Sequence, residues 1–128
     1  MPDPKPKLLL VDDEPLVRSA LRRALKHEFD IIEAGNGFEG AQHFRTDPEI
    51  RRVLSDARMH GGDGQQFHEQ IAQELAQRQG RFIVLTGQMP DPMQTYFEDR
   101  GISIYEKPFD VETLAAAFRN MDTPSRPE

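Results

Sequence analysis

The chain has 128 residues, of which 37% are apolar and 30% charged, and this size suits one domain. It contains no cysteine, which excludes disulfides, thiolate catalysis and cysteine-based zinc sites. Its formal net charge of -6, without a basic run, disfavours nucleic-acid binding. The longest clean apolar run, Leu8 to Val11, is too short to span a membrane, and the N-terminus does not have the pattern of a secretory signal. We therefore expect a cytoplasmic protein without a membrane contact.

Apolar runs alternate with helical patterns along the chain. The runs at 8–11, 31–32, 50–55, 82–85 and 102–105 predict strands. Apolar side chains at spacings of three and four residues predict a helix after each strand, the first ending at about His27. Alternating strands and helices with short connections favour a parallel sheet covered on both faces. We predict a three-layer α/β domain over 7–121, with a disordered lead-in at 1–6 and a disordered tail at 122–128.

The helical patterns also predict which large side chains are buried. The phenylalanines are expected in the core, namely Phe38, Phe44, Phe67 and Phe118. Three histidines in helical stretches are expected at the surface or half-buried, namely His27, His43 and His68.

Polar side chains follow the apolar runs at the points where the strands end. The first strand runs into Asp12 and Asp13, the third into Asp56, the fourth into Thr86 and the fifth into Lys107. Because the carboxyl ends of parallel strands face one crevice, these side chains are expected to converge. Three carboxylates repel one another unless a cation lies between them. Mg²⁺ prefers such oxygen ligands, so the pattern indicates a magnesium site.

The same crevice suits phosphoryl chemistry. A carboxylate at a strand end can be a metal ligand, an acid or base, or a nucleophile. The hydroxyl of Thr86 and the ammonium of Lys107 suit phosphoryl oxygens, and a metal ion on the other side would stabilise the charge of phosphoryl transfer. Asp56 is already ionised at neutral pH, which favours it as the nucleophile that forms an aspartyl phosphate.

Four segments together resemble the receiver domain of two-component response regulators, over about residues 7–121. They are LLLVDDE at 8–14, LSDARM-x-GGDG at 54–64, VLTG at 84–87 and EKPF at 106–109. The amino-acid sequence at 85–87, 96–97 and 104–109 is most similar to that of receivers attached to hybrid histidine kinases. The resemblance implies a flavodoxin-like (βα)₅ fold with strand order 2-1-3-4-5. It also implies a signalling domain, not an enzyme, that takes a phosphoryl group from a histidine kinase or a histidine phosphotransfer protein.

The resemblance implies a role for each acidic residue at the site. Asp56 matches the phosphoacceptor and Asp13 the direct Mg²⁺ ligand. Asp12 matches the second acidic position, which acts through a metal-bound water. Arg58 stands where the family supplies a backbone carbonyl oxygen to the metal ion.

Roles on the phosphoryl side are implied in the same way. Thr86 matches the switch hydroxyl, and Lys107 matches the lysine that pairs with the phosphoryl group. Gly87 matches a small residue that keeps access to the phosphoryl group open. Arg58 and Gln88 flank the site and are expected to tune dephosphorylation. The output is expected to be an altered protein contact, in a monomer or a phosphorylation-dependent dimer.

The sequence departs from the family pattern at two places. His60 replaces the usual proline at the fourth position after the phosphoacceptor, which predicts a looser loop and a different start of helix 3. His60 could bind a metal ion or respond to pH, although an exposed loop residue is the simpler interpretation. Ile104 occupies the position of the aromatic switch residue, and Tyr105 should point to the opposite face of the strand. The fourth helix, over 91–101, could carry the signal instead.

Other interpretations remain open on the sequence. The run Asp12-Asp13-Glu14 could simply cap the first helix. A pseudo-receiver that docks a partner without being phosphorylated is the main alternative function. A small Mg²⁺-dependent phosphohydrolase would need a substrate pocket or cap insertion and a second catalytic acid near Asp56, and the chain has no insertion long enough.

Overall fold

A computed structural model of the chain describes residues 5–60, 62–87, 91–107 and 110–120. The described residues form five strands and five helices in strict alternation. The elements are β1 (Lys7–Val11), α1 (Pro15–Leu25), β2 (Asp30–Ala34), α2 (Gly37–Thr46), β3 (Arg52–Asp56), α3 (Gly64–Gln77), β4 (Arg81–Thr86), α4 (Asp91–Asp99), β5 (Ser103–Glu106) and α5 (Val111–Asn120). The predicted disordered ends fall mainly on residues 1–4 and 122–128, which lie outside these ranges.

The strands pair in parallel in the order β2-β1-β3-β4-β5. Successive side chains of a strand point to opposite faces, so the apolar runs supply two cores. Leu9, Val53 and Val84 pack against α2, α3 and α4. Leu10, Leu54 and Ile83 pack against α1 and α5. The predicted flavodoxin-like, three-layer fold is therefore confirmed.

The first helix is shorter than predicted. It begins at Pro15, which fixes the backbone for a first turn, and it ends at Leu25 instead of about His27. The backbone N–H groups of Glu28 and Phe29 both donate to the carbonyl oxygen of Leu25, which turns the chain towards β2. Phe29 is buried by this turn. None of the helices in the described ranges has the length and apolar content needed to cross a bilayer.

The prediction that Phe38 lies in the core is wrong, because its side chain is 63% exposed. The buried face of α2 is instead formed by Gly37, Gly40, Ala41 and Phe44. A β-carbon on Gly40 would lie only 2.9 Å from the Cγ2 atom of Val11, so the helix approaches the sheet through its glycines. Phe38 follows Gly37 by one residue, about 100° further round the helix, and points towards solvent.

Replacing Phe38 by serine is expected to change the free energy of unfolding by less than about 0.5 kcal/mol, as for other exposed positions. Urea denaturation of the two proteins, followed by circular dichroism, measures the difference. A loss above about 1 kcal/mol would show that the side chain is buried against the fold in solution.

His68 is buried, in contrast to the prediction that it is exposed or half-buried. It belongs to the inner face of α3 with Phe67 and Ile71. Its Nδ1 atom lies 2.7 Å from the hydroxyl oxygen of Tyr96 in α4, and the edge of its ring contacts Phe82 with 4.8 Å between centroids. Burial lowers the pKa of His68 to about 4. The ring is therefore neutral at physiological pH and joins α3 to α4.

The low pKa of His68 predicts a loss of stability in acid. The unfolded chain takes up this proton below its ordinary pKa of about 6.5, whereas the folded protein does so only near the pKa of about 4. The contribution of neutral His68 to the free energy of unfolding is thus fully present above pH 6.5 and is lost as the pH falls towards 4. The expected loss is about 1.4 kcal/mol per pH unit within that window.

Urea denaturation of the wild type and of His68→Gln at pH 7.5 and pH 5 tests this expectation. The wild type should lose about 2 kcal/mol more than the variant between the two conditions. The pKa of Asp12 is raised and acts in the opposite direction, but it is present in both proteins and cancels from the comparison. Equal losses in the two proteins would contradict a low pKa at His68.

Candidate functional site

The carboxyl ends of the central strands bring the predicted site residues to one edge of the sheet. Val11 of β1 is in register with Ser55 of β3, which places Asp12 and Asp56 side by side at the next position. The register of β3 with β4 places Thr86 just beyond Asp56. The same parallel arrangement carries the chain after β5 towards Asp56. The convergence predicted from the strand ends is therefore present.

The acidic side chains form a cluster of four. Asp12, Asp13, Glu14 and Asp56 each offer a carboxylate oxygen, and these oxygens all lie within 4.8 Å of one another. Glu14 was not among the predicted site residues, although the acidic run DDE contains the signal for it. Four carboxylates this close repel one another strongly, and a divalent cation would remove that repulsion.

A simple helix-capping role does not account for the acidic run. Glu14 is the N-cap residue of α1, but its side chain makes no capping hydrogen bond. The Oδ1 atom of Asp12 accepts a hydrogen bond of 2.9 Å from the N–H of Glu14. The Oδ2 atom of Asp12 is buried and has no hydrogen-bond partner among the described residues. A buried carboxylate oxygen without a partner is costly, and a metal-bound water or an ion would satisfy it.

Burial also shifts the pKa values of the two inner carboxyl groups. The pKa of Asp12 is raised to about 6, because burial and the charge of Asp56 raise it more than the Glu14 N–H and Lys107 lower it. Burial raises the pKa of Asp56 too, while the Lys107 ammonium and the N–H groups of Arg58 and Ala57 oppose the shift. The negative charge in the crevice is therefore only partly compensated by protein groups.

The other side of Asp56 carries a hydroxyl and an ammonium group. The Nζ atom of Lys107 lies 3.4 Å from Oδ2 of Asp56. The Lys107 N–H donates to the carbonyl oxygen of Thr86 over 2.7 Å, which holds the two residues together. The Oγ1 atom of Thr86 is buried and has no hydrogen-bond partner among the described residues. These two groups are suited to bind an oxyanion next to Asp56.

Two of the three remaining predicted positions, Arg58 and Gly87, follow the ends of β3 and β4 at the rim of the crevice. Arg58 is exposed and directly follows the end of β3. A β-carbon on Gly87 would meet none of the described residues within 4 Å. Gln88 lies outside the described residues. The roles of these three residues stay predictions.

The connection between β3 and α3 lacks the usual proline, but its described first and last residues, Ala57 and Asp63, are anchored by hydrogen bonds. Gly64 N–H donates to the carbonyl oxygen of Ala57 over 2.8 Å, and α3 begins with a capping box between Asp63 and Gln66. A β-carbon on Gly64 would lie 2.8 Å from the carbonyl oxygen of Asp56, so only glycine lets α3 start this close to the site. At its junction with α3, the loop is therefore held by hydrogen bonds that counteract the looser structure predicted from the absence of proline.

The two residues at the switch position lie on opposite faces of the sheet, as predicted. Ile104 packs with the core beneath α2, α3 and α4. Tyr105 packs with the core beneath α1 and α5. Tyr96 of α4 packs against the same core as Ile104, and its hydroxyl contacts His68 of α3. No pattern in the sequence indicates this contact.

Comparisons with known proteins agree with the fold. The family model described as the response regulator receiver domain matches residues 8–119. The peroxide stress-activated histidine kinase mak3 of Schizosaccharomyces pombe is 31% identical over 116 residues, and the match covers 84% of this chain and 5% of the kinase. Response regulator Rre1 of Synechocystis sp. is 32% identical over 120 residues, covering 89% of this chain and 50% of that protein.

A solved structure gives the same result. The receiver domain of the hybrid histidine kinase CckA superimposes with a TM-score of 0.73 at 25% identity, covering 90% of this chain and 97% of that chain. The chain spans half or less of the two curated relatives described above, so their activities as whole proteins are not transferred to it. Within the matched span the chain belongs to the response regulator receiver domain family, whose members are signalling domains of two-component systems.

Proposed function

We propose that Asp56 accepts a phosphoryl group from a phosphohistidine of a histidine kinase or a histidine phosphotransfer protein, with Mg²⁺ at the acidic cluster. The observation that carries this proposal is the asymmetric setting of Asp56. Carboxylates of Asp12, Asp13 and Glu14 lie on one side of it. Lys107 Nζ lies 3.4 Å away on the other side, next to the hydroxyl of Thr86, which has no hydrogen-bond partner in the described part of the chain.

The chain's own residues can perform each part of the transfer. A carboxylate oxygen of Asp56 attacks phosphorus, the P–N bond breaks, and its electron pair returns to the imidazole of the donor. Lys107 pairs with a phosphoryl oxygen, and Thr86 donates a hydrogen bond to another. Asp12, Asp13, Asp56 and the backbone carbonyl of Arg58 would hold Mg²⁺, which when bound offsets negative charge on the phosphoryl oxygens.

The aspartyl phosphate is proposed to alter a protein-binding surface on α4, β5 and α5. Thr86 ends β4, and its hydroxyl can turn towards the new phosphoryl oxygens. The helix that follows, α4, buries only Met93 and Phe97 among its described residues, so little apolar area holds it in place. Because Ile104 has no aromatic ring to rotate, α4 and its Tyr96–His68 contact are the better candidates to transmit the change. We place this domain in the cytoplasm, as a monomer or a phosphorylation-dependent dimer.

A docking module that is never phosphorylated is the alternative. It would account for the fold, but it would leave the buried oxygens of Asp12 and Thr86 without a use. Intact mass after incubation with acetyl phosphate, with and without Mg²⁺, separates the two functions. Phosphoacceptor chemistry predicts a gain of about 80 Da that requires Mg²⁺ and is reversed by hydroxylamine, which cleaves acyl phosphates. A folded protein with neither adduct nor Mg²⁺ binding would exclude the phosphoacceptor and favour the docking module.

A further inference from the structure

His60 lies at the edge of the acidic cluster and contacts it twice. Its backbone N–H donates to Oδ2 of Asp13 over 3.0 Å. Its ring Nε2 atom lies 3.9 Å from the same oxygen, and the side chain is fully exposed. A carboxylate oxygen has two lone pairs, so Asp13 can accept this hydrogen bond and bind a metal ion as well.

Described residues on both sides of His60 are held by hydrogen bonds. Before it, the N–H of Ala57 donates to the carbonyl oxygen of Leu85 over 2.8 Å. After it, α3 is anchored by the capping box of Asp63 and by the Gly64 hydrogen bond to Ala57. Proline at position 60 could not donate to Asp13, because proline has no N–H. Histidine therefore adds both a backbone contact and a ring nitrogen at this place.

The ring nitrogen is within reach of an ion bound to Asp13. Two ligand atoms at about 2.1 Å from one ion are about 3.0 Å apart at a right angle and about 4.2 Å apart when opposite. The observed separation of 3.9 Å between Nε2 of His60 and Oδ2 of Asp13 falls between these limits. Rotation of an exposed side chain suffices to adjust it, with no movement of the backbone.

The buried oxygen of Asp12 is an independent indication of an ion. This side chain is 1% exposed, and its Oδ2 atom has no hydrogen-bond partner in the described parts of the chain. An all-oxygen set suits Mg²⁺, but imidazole is a softer ligand that favours ions such as Co²⁺, Ni²⁺ and Zn²⁺. We infer that His60 joins the carboxylates as a metal ligand and shifts the preference of the site towards a first-row transition-metal ion. This inference rests on the metal site proposed above.

Metal affinity of the wild type and of His60→Gln tests the inference. Titration calorimetry with Co²⁺ is expected to show at least about tenfold weaker binding in the variant, a loss within the range caused even by removal of an outer-sphere partner. Mg²⁺ affinity should change by less than about twofold, since Mg²⁺ gains little from imidazole. Electron spin echo modulation of the Mn²⁺-loaded wild type should show coupling to an imidazole ¹⁴N, and the variant should lose it.

His43→Gln is the matched control. Nε2 of His43 also lies 3.9 Å from a carboxylate oxygen, that of Glu39, but on α2 and apart from the acidic cluster. This variant should keep the Co²⁺ affinity and the ¹⁴N coupling. Unchanged Co²⁺ binding and coupling in His60→Gln would overturn the role of His60 and leave the metal site intact. Absence of both Co²⁺ and Mg²⁺ binding from the wild type would instead overturn the metal site itself.

Discussion

Asp56→Asn is expected to abolish the acetyl phosphate adduct. The amide oxygen of asparagine is a poor nucleophile, so the step that forms the acyl phosphate is lost, not merely slowed. The substitution is nearly isosteric, so the side-chain volume at the end of β3 is almost unchanged. It also removes one of two buried negative charges, which should bring the pKa of Asp12 closer to its ordinary value. The variant is therefore expected to stay folded. Intact mass after incubation with acetyl phosphate and Mg²⁺ measures the loss.

A matched substitution shows whether the effect depends on position. Asp30→Asn makes the same chemical change at an exposed residue at the start of β2, on the edge of the sheet opposite to the crevice. It should keep the full adduct. If Asp56→Asn were phosphorylated to the same extent as the wild type, the phosphoryl group would reside on another side chain. Peptide mapping would then identify that side chain, and the assignment of Asp56 as phosphoacceptor would be rejected.

The residues at the strand ends could be located from the sequence because the parallel sheet sets their positions. Each apolar run predicts a buried strand, and the strand's last residue fixes where the next polar side chain emerges. The location of Asp12, Asp56 and Thr86 could therefore be predicted without knowledge of distant contacts. Glu14 was not predicted as a site residue, although it stands one residue beyond Asp13 in the same acidic run.

The residues whose burial or contacts could not be predicted from the sequence depend on how separate elements of the fold pack together. The inner face of α2 is determined by the close approach of Gly40 to the sheet, so the larger Phe38 is left outside. Burial of His68 depends on the hydroxyl of Tyr96, a partner 28 residues away on another helix. Helical spacing alone assigns no partner to a histidine. The contact of the His60 N–H with Asp13 likewise requires the path of a loop, which no residue pattern specifies.

Arg78 is a further example of a contact that only the fold reveals. It is the C-cap residue of α3, and its guanidinium donates to the carbonyl oxygens of Phe44, Asp47 and Ile50 over 2.8 to 3.0 Å. It also pairs with Glu74 and lies over the ring of Phe44, 3.8 Å from its centroid. One side chain thus ties the end of α3 to the end of α2 and to the loop before β3.

Arg78→Ala is expected to lower the free energy of unfolding by about 3–4 kcal/mol, as measured by urea denaturation. Hydrogen bonds from a charged donor each contribute about 1.5–3 kcal/mol, and the half-buried carbonyl groups would be left without this donor. The stem of the side chain also covers apolar surface next to Phe44, which the variant would expose. Because the carboxyl edge of the sheet lies at the other end of the strands, phosphorylation of the folded variant should be unchanged.

Arg100→Ala is the control because its arginine makes a similar ring contact without the same network. The Arg100 guanidinium lies 3.7 Å from the centroid of Tyr96 and donates to one carbonyl oxygen, at an exposed position. Its loss should cost less than about 1 kcal/mol, as for cation–π contacts in solvent. A loss at Arg78 as small as this would mean that water replaces the guanidinium at the three carbonyl groups. A large difference between the two variants would show that the ring contact alone does not account for the stabilisation by Arg78.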